Sequence, residues 1–412
     1  MKESNKRKII NDPVHGFITI PSDLLYDLIE HPYFQRLNRI TQLGLTSLVY
    51  PGATHTRFQH TLGCMHLMSE AVSTLQSKGV DISEKEAEAV HAAILMHDLG
   101  HAPFSHALES SLVSNIRHED ISLLFMERLN DEFNGNFSLA IDIFKGIYPK
   151  KFLCQLVSGQ LDMDRLDYLK RDSFYTGVSE GVISSDRIIN MLNVHNDLLA
   201  VEAKGIYSIE NFLIARRLMF WQVYLHKTAI VAEKMLVNLM KRARQLMMQG
   251  VDLKIDKPLG FFLQNTITLS NFYQKKETLD YFYSLDDHDI ICALKSWTFH
   301  NDKILSMLSS GLINRNLLAI ELHKEPIELK KINFLQKNAI KKYNFTQEEA
   351  DFVVFSGTIS NNAYDIEDEK INILNHDKSI KDISEASDMF NLSVLGKTVK
   401  KNFICFPKVL RE

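Results

Sequence analysis

From about residue 22 to residue 250 the apolar residues recur at helical rather than alternating spacing, and only nine prolines serve all 412 residues. A pattern this long confines the chain to packed helices. Within it, the segment 84–99 puts Ala87, Val90, Ile94 and His97 on one apolar face, with Ser83 as its N-cap. His101 would share that face if the helix continued, but Gly100 and Pro103 predict that it ends there and that the backbone turns. Residues 208–248 read as one long helix, capped by Ser208 and stopped by Gly250. Ahead of the helical region, residues 11–16 read as a turn and 17–20 as a short strand. After Asp252 the character changes: 317–322, 352–355 and 370–374 read as strands between polar turns. The expected fold is therefore mainly α with a smaller C-terminal α+β lobe, divided into residues 1–250 and 251–412. The acidic run 365–369 and the lysine-rich 330–342 read as solvated faces.

A charged fraction of 24% and an apolar fraction of 45% are those of an ordinary globular protein. The net charge of -4 gives no global electrostatic case for nucleic acid or anionic membrane as the main partner. Four isolated cysteines, with no CxxC pair, suit a reducing compartment without a disulfide framework. The charged start lacks the apolar stretch of a signal peptide, and no apolar run approaches the ~18 residues of a spanning helix. These features predict a cytoplasmic protein.

Eight of the sixteen histidines lie between His55 and His118, one pair within the string His97-Asp98-Leu99-Gly100-His101. Imidazole and carboxylate together suit a divalent first-row metal, and fewer than six protein ligands leave room for water and substrate. A bound divalent ion lowers the pKa of water from about 15.7 toward roughly 7, giving hydroxide at neutral pH. The residues alone thus point to a metal-dependent hydrolase. Taken singly, His60 reads rather as a hydrogen-bonded helix histidine.

The set His60, His97, Asp98 and Asp164 resembles the H…HD…D signature of HD-domain phosphohydrolases. The likeness runs in order over roughly residues 8–230. It includes 34–37 (FQRL), 42–44 (QLG), 50–53 (YPGA), 55–63 (HTRFQHTLG), 97–106, 162–168 (DMDRLDY) and Arg171-Asp172. In these motifs the chain is similar to the deoxynucleoside triphosphate triphosphohydrolase branch. The resemblance implies His60, His97, Asp98 and Asp164 as ligands of one divalent metal per active site. It implies His118 as the catalytic histidine held by Glu109, where the mammalian HD-domain dNTPase has Asp. His101 and His106 match phosphate-contacting or proton-relay positions; capping the turn, or binding a second metal, are the alternatives for them. Arg57, Arg165 and Arg216 would meet the triphosphate; Arg165 replaces a lysine of the mammalian enzyme with a planar fork. Gln42, with its neighbour Leu43, and Tyr168 and Asp172 match sugar contacts, the last two following Asp164 at i+4 and i+8 on one helical stripe. Asp162 and Asp167 fall off that stripe and read as cap and surface charge. Tyr224 matches a tyrosine near the sugar C2′ that disfavours a ribose 2′-hydroxyl, against the plainer reading of a buried tyrosine. Lys227 lies on a neighbouring face.

The activity so implied is conversion of a dNTP and water to deoxynucleoside and inorganic triphosphate. The alternatives are a phosphodiesterase or nucleotidase on the same metal, or a nucleotide sensor or single-stranded nucleic-acid binder with a secondary HD site. In the family, nucleotides bound between subunits assemble a tetramer and switch on activity. Lys8, Asn11, Glu30, Gln35 and Arg36 would supply that effector site here. Glu30 stands for an Asp and Asn38 for an Arg of the mammalian guanine-reading pair. Asn38 cannot replace a bidentate cation on guanine, a contact worth about 1–3 kcal/mol in nucleic-acid readout. A homo-oligomer (dimer or tetramer) present without effector, and an effector site less strict for guanine, are therefore expected.

Overall fold

The computed structural model describes residues 8–361, 370–388 and 399–411, and the side chains of His106, Ser110 and Asn361 fall outside the description. The acidic run 365–369 also lies outside it.

The described chain opens with an antiparallel hairpin, β1 (Ile9–Asp12) and β2 (Gly16–Thr19). Asp12 shapes its turn by accepting the amide N–H groups of Val14 and His15, each at 2.9 Å. Gly16, at φ +76°, closes it where a side chain would be strained. Two short helices follow, α1 (Asp23–Glu30) and α2 (Pro32–Gln35). The central helices are α3 (Arg57–Ser77), α4 (Glu84–Met96), α5 (His106–Leu112) and α6 (His118–Glu132). Next come α7 (Ser138–Phe144), α8 (Lys151–Val157), α9 (Met163–Thr176) and α10 (Ser185–Asn190). A hairpin of β3 (Leu192–His195) and β4 (Leu198–Glu202) leads into α11 (Ile206–Met219) and α12 (Lys227–Met248).

Helix α3 packs against both α4 and α9. Accordingly it is apolar on more than one side, burying Leu62, Met65, Leu67, Met68, Ala71, Val72 and Leu75. Ser83 caps α4 in a reciprocal box with Glu86, as the sequence predicts. The helix stops at Met96, so His97 is its C-cap and the chain turns through Asp98 and His101.

The single helix expected over 208–248 is instead two. α11 is followed by a π-helical turn, Phe220–Tyr224, and α12 restarts at Lys227 with the His226 ring accepting the Thr228 amide. A π turn inserts a residue without a proline or glycine to announce it.

Beyond α12 lie α13 (Lys257–Gln264), α14 (Leu269–Gln274), α15 (Lys276–Ser284), α16 (Asp287–Trp297) and α17 (Lys303–Ile313). A three-stranded sheet, ordered β5 (Ala319–His323), β9 (Val399–Phe406), β6 (Phe355–Asn361), then forms with α18 (Leu329–Tyr343) and α19 (Gln347–Val353) between its strands in sequence. The strand expected at 352–355 is corrected: α19 runs to Val353 and β6 begins only at Phe355. The strand expected at 370–374 is β7 (Asn372–Leu374), which pairs with β8 (Ile380–Asp382) and runs parallel to β4. That pairing bridges the division expected near residue 250, as does one hydrophobic core running from Ile18 to Phe406. The protein is mainly α, with a smaller C-terminal α+β portion. Among the described residues no helix is long and apolar enough to cross a membrane.

Candidate metal centre

Three elements converge on one buried space: the first turn of α3, the C-cap of α4 and the first turn of α9. They bring His60, His97, Asp98 and Asp164 together. His60 Nε2 lies 3.0 Å from Asp164 Oδ1 and 3.8 Å from Asp98 Oδ2. His97 Nε2 lies 3.3 Å from Asp98 Oδ1 and 3.8 Å from Asp164 Oδ1.

The other ring nitrogens explain the aim of these two. His60 Nδ1 donates to Asp167 Oδ2 at 2.7 Å, and His97 Nδ1 donates to the Ile94 carbonyl at 2.6 Å. With both Nδ1 protons committed, each ring turns its Nε2 into the shared space, the usual arrangement of metal-binding histidines. Burial works against charging the two rings, but the carboxylates around them outweigh it and raise both imidazoles, so a divalent ion would bind there by displacing the Nε2 protons. His97 Nε2 is buried with no hydrogen-bond partner. Burial works against ionising Asp164 and Asp98, but the imidazoles around Asp164 and the Arg57 guanidinium beside Asp98 outweigh it and hold both carboxyls low. Two imidazole nitrogens and two carboxylates fit a divalent first-row ion in type and charge.

Cys64, one turn after His60, is an extra donor that the sequence does not single out. Its sulfur is 3.5 Å from both ring nitrogens of His60, above the ring rather than along a lone pair. Burial pushes its thiol up, so the neutral form prevails. A neutral thiol is a poorer donor than the ionised Asp98.

Beside this centre, the His118 backbone N–H donates to Glu109 Oε1 at 2.6 Å and the His118 ring nitrogen Nδ1 lies 3.2 Å from the same oxygen. The His101 and His118 rings lie 4.0 Å apart between centroids. Burial, then the neighbouring Arg57, pushes His101 well below the usual imidazole range, so it is neutral. Gly100 allows this approach: a Cβ there would stand 2.1 Å from the His118 carbonyl oxygen. The side chain of His106 lies outside the description.

Residues 40–42 run antiparallel to 55–57, through Gln42 N–H to His55 O and Arg57 N–H to Ile40 O. This brings Gln42 and Leu43 beside Arg57; Gln42 Oε1 is buried and unpartnered. Arg57 pairs with Asp98 and donates from Nε to Ser105 Oγ at 2.9 Å. Ser105 and Phe104 both hold φ +55°, a backbone strain maintained at this turn. Arg165 pairs with Asp162, and Arg216 donates to Gln160 Oε1 at 3.1 Å. Along α9, Asp164, Tyr168 and Asp172 follow on one stripe. Asp172 receives the Tyr224 hydroxyl on one oxygen and His55 Nε2 on the other, each at 2.7 Å. His55 stacks on Tyr175 at 4.4 Å.

Two expectations need correction. Asp162 is the N-cap of α9 as expected, but Asp167 is no surface charge. It is fully buried, and it receives His15, His60 and Arg171 at once. Its i+3 spacing from Asp164 was the available signal, since i+3 neighbours share a helix flank. Arg36, expected at an effector site, lies inside the protein, donating to the carbonyls of Leu285 and Leu99. The other positions of that segment lie nearer the surface. Lys8 sits over the Tyr26 ring, Asn11 and Glu30 are exposed, and Gln35 donates to the Ile29 carbonyl while accepting from Asn38.

Comparison with known proteins finds a known domain over this part of the chain. The HD domain model matches residues 57–169, and an HD associated region matches 183–255. YwfO, an uncharacterized protein of Bacillus subtilis (strain 168), is 30% identical over 420 residues, covering 98% of this chain and 93% of its own. The deoxynucleoside triphosphate triphosphohydrolase SAMHD1 homolog of Dictyostelium discoideum is 32% identical over 259 residues. That match covers 58% of this chain and 50% of the relative, so the chain spans about half of that protein. The crystal structure of a phosphohydrolase from Bacteroides thetaiotaomicron VPI-5482 superposes with a TM-score of 0.95 at 56% identity, over 98% of this chain and 100% of that one. An HD domain with its associated region, built around a His/Asp cluster suited to a divalent metal, makes this chain a member of the HD-domain phosphohydrolase family and a metal-dependent hydrolase.

Proposed function

We propose that the protein hydrolyses deoxynucleoside triphosphates to deoxynucleoside and inorganic triphosphate, with one divalent ion held by His60, His97, Asp98 and Asp164. The observation that carries this reading is the α9 row Asp164, Tyr168, Asp172, faced by Tyr224. A metal donor, an aromatic ring and a carboxylate in file suit a phosphate followed by a sugar. The similarity to the Dictyostelium triphosphohydrolase supports the same substrate class.

A divalent ion bound there supplies positive charge for phosphate oxygens and acidifies water. The chain's own residues do the rest. Arg57, Arg165 and Arg216 neutralise the triphosphate, Arg57 dividing its charge between Asp98 and a phosphate oxygen. His118, oriented by Glu109, protonates the leaving oxygen, and His101, against the His118 ring, lines the phosphate side; His106 is assigned a phosphate or relay role by the resemblance alone. Gln42, with its free acceptor oxygen, and Asp172 take the sugar 3′-hydroxyl, with Leu43 beside them. Tyr224, fixed by its hydroxyl on Asp172, closes the space a 2′-hydroxyl would need. Lys8, Asn11, Glu30 and Gln35 form an effector surface, and Arg36 supports it from inside. The C-terminal residues 251–412 serve assembly into a homo-oligomer.

The test compares matched dNTPs and NTPs at fixed Mn²⁺, following nucleoside release by chromatography. The reading expects dNTPs to be consumed at least tenfold faster, and Tyr224→Ala to narrow the gap. Equal rates for both sugars in the wild type, or activity confined to phosphodiesters, overturns it.

A further inference from the structure

The hairpin β1–β2 shows little apolar burial of its own: Asp12 and Ile18 are its buried residues, while Ile9 and Phe17 face solvent. What ties it to the helices is a buried chain of charges that ends on His60. Asp167 Oδ1 receives His15 Nε2 at 2.7 Å and Arg171 Nη2 at 3.1 Å. Its Oδ2 receives His60 Nδ1 at 2.7 Å and Arg171 Nε at 2.8 Å. Arg171 in turn donates to both oxygens of Asp12, at 2.8 and 3.3 Å. Asp167 and Arg171 are fully buried and Asp12 nearly so. The same Asp12 carboxylate holds the turn that aims His15.

We propose that the hairpin, through Asp12 and His15, is a positioning latch that sets the affinity of the His60 site for its divalent metal. This rests on the reading of His60 and His97 as metal ligands. With the latch closed, Arg171 is shared between two carboxylates. Asp167 therefore keeps negative charge to draw on the His60 Nδ1 proton, which makes Nε2 a better donor. With Asp12 neutral, Arg171 places its whole charge on Asp167 and that polarisation falls. With His15 gone, Asp167 loses one of the donors that fix its rotamer, and the His60 ring loses its fixed aim. By thermodynamic reciprocity, metal binding tightens hairpin docking by the factor through which docking tightens metal binding.

The experiment uses full-length protein and Mn²⁺, with free ion measured by equilibrium dialysis and hairpin amide exchange followed by mass spectrometry. Asp12→Asn and His15→Ala are expected to weaken Mn²⁺ binding about 10–100-fold, the usual effect of losing a ligand-orienting partner. His15→Gln, which retains an N–H donor, should recover most of the loss. In the wild type, Mn²⁺ should slow exchange in residues 9–19; in Asp12→Asn that slowing should shrink. His97→Ala is the control, because loss of Mn²⁺ there establishes the site independently of the hairpin. If His97→Ala binds as wild type, the metal site itself is misassigned. If His97→Ala loses Mn²⁺ while Asp12→Asn and His15→Ala bind it normally, with unchanged hairpin exchange, the latch alone is refuted.

Discussion

Replacing Gly63 by alanine sets two physical rules against each other. Gly63 is the α3 residue three positions after His60, where the Asp167–Arg171 pair of α9 comes against the backbone. A Cβ there would lie 1.9 Å from Asp167 Oδ1 and 2.3 Å from Arg171 Nη2. Helix propensity alone favours the substitution by about 1 kcal/mol. Ordinary van der Waals contact requires both groups to retreat by more than ~1 Å, yet both are fully buried and saturated with hydrogen bonds. Overpacking costs about 1–3 kcal/mol, and disrupting a buried pair about 3–5 kcal/mol. Because the displaced atoms belong to that buried pair, the larger cost applies, and less the propensity gain it leaves a net loss of about 2–4 kcal/mol. Because Asp167 also orients His60, Mn²⁺ affinity should fall with it. Urea unfolding of the metal-free protein gives the first quantity and equilibrium dialysis the second. A Gly63→Ala protein as stable as the parent, or more so, with full metal affinity would refute the close approach and the role given to Asp167.

Further outcomes follow from the same geometry. His97→Ala or Asp98→Ala should abolish bound metal and hydrolysis while far-UV dichroism stays helical; a full equivalent of metal after purification, with turnover, contradicts the ligand set. His118→Ala should keep metal and nucleotide binding but lose roughly 10²–10⁴ in rate, the usual worth of a positioned acid; unchanged turnover would move that role to His101 or His106. Burial opposes ionisation of Glu86, but hydrogen bonds from Tyr148, Ser83 and Lys150 prevail and hold its carboxyl at about 2, below the usual 4.5. A depressed carboxyl stabilises the fold above its unfolded pKa. About 3 kcal/mol should therefore be present at neutral pH and lost as pH falls from about 4.5 toward 2. Glu86→Gln should flatten that part of the pH–stability curve, and an unchanged slope would count against it.

The juxtaposition of His97 with Asp98 was legible because its signal is local, whereas His60 and Asp164 were joined to them only through the resemblance to HD-domain phosphohydrolases. His97 and Asp98 are adjacent, and Ser83 with Glu86 marks the helix that ends on them. Tyr168 and Asp172 were legible from i+4 spacing along α9. Asp167 was missed because only that stripe was followed, and its partners His15 and Arg171 come from elements far apart or one turn on. His55 was legible as part of a motif, but its place between Asp172 and Tyr175 depends on the 40–42 segment folding back on 55–57. The break at 225–226 left no composition signal, because apolar periodicity continues from α11 into α12 on either side of the π turn. Near residue 354 a helix end and a strand start share one aromatic and β-branched run, so periodicity could not separate them. The parallel pairing of β4 with β7 joins strands about 170 residues apart, beyond any local pattern.

The proposed reaction releases the whole triphosphate of the substrate in one step. Phosphorus-31 NMR of a dNTP incubated with the protein and Mn²⁺, the metal chelated before the spectrum is taken, tests it directly. Inorganic triphosphate and deoxynucleoside should appear in equal amounts, with no diphosphate intermediate. Orthophosphate accumulating first, with dNDP and then dNMP, would contradict it and identify a stepwise nucleotidase instead.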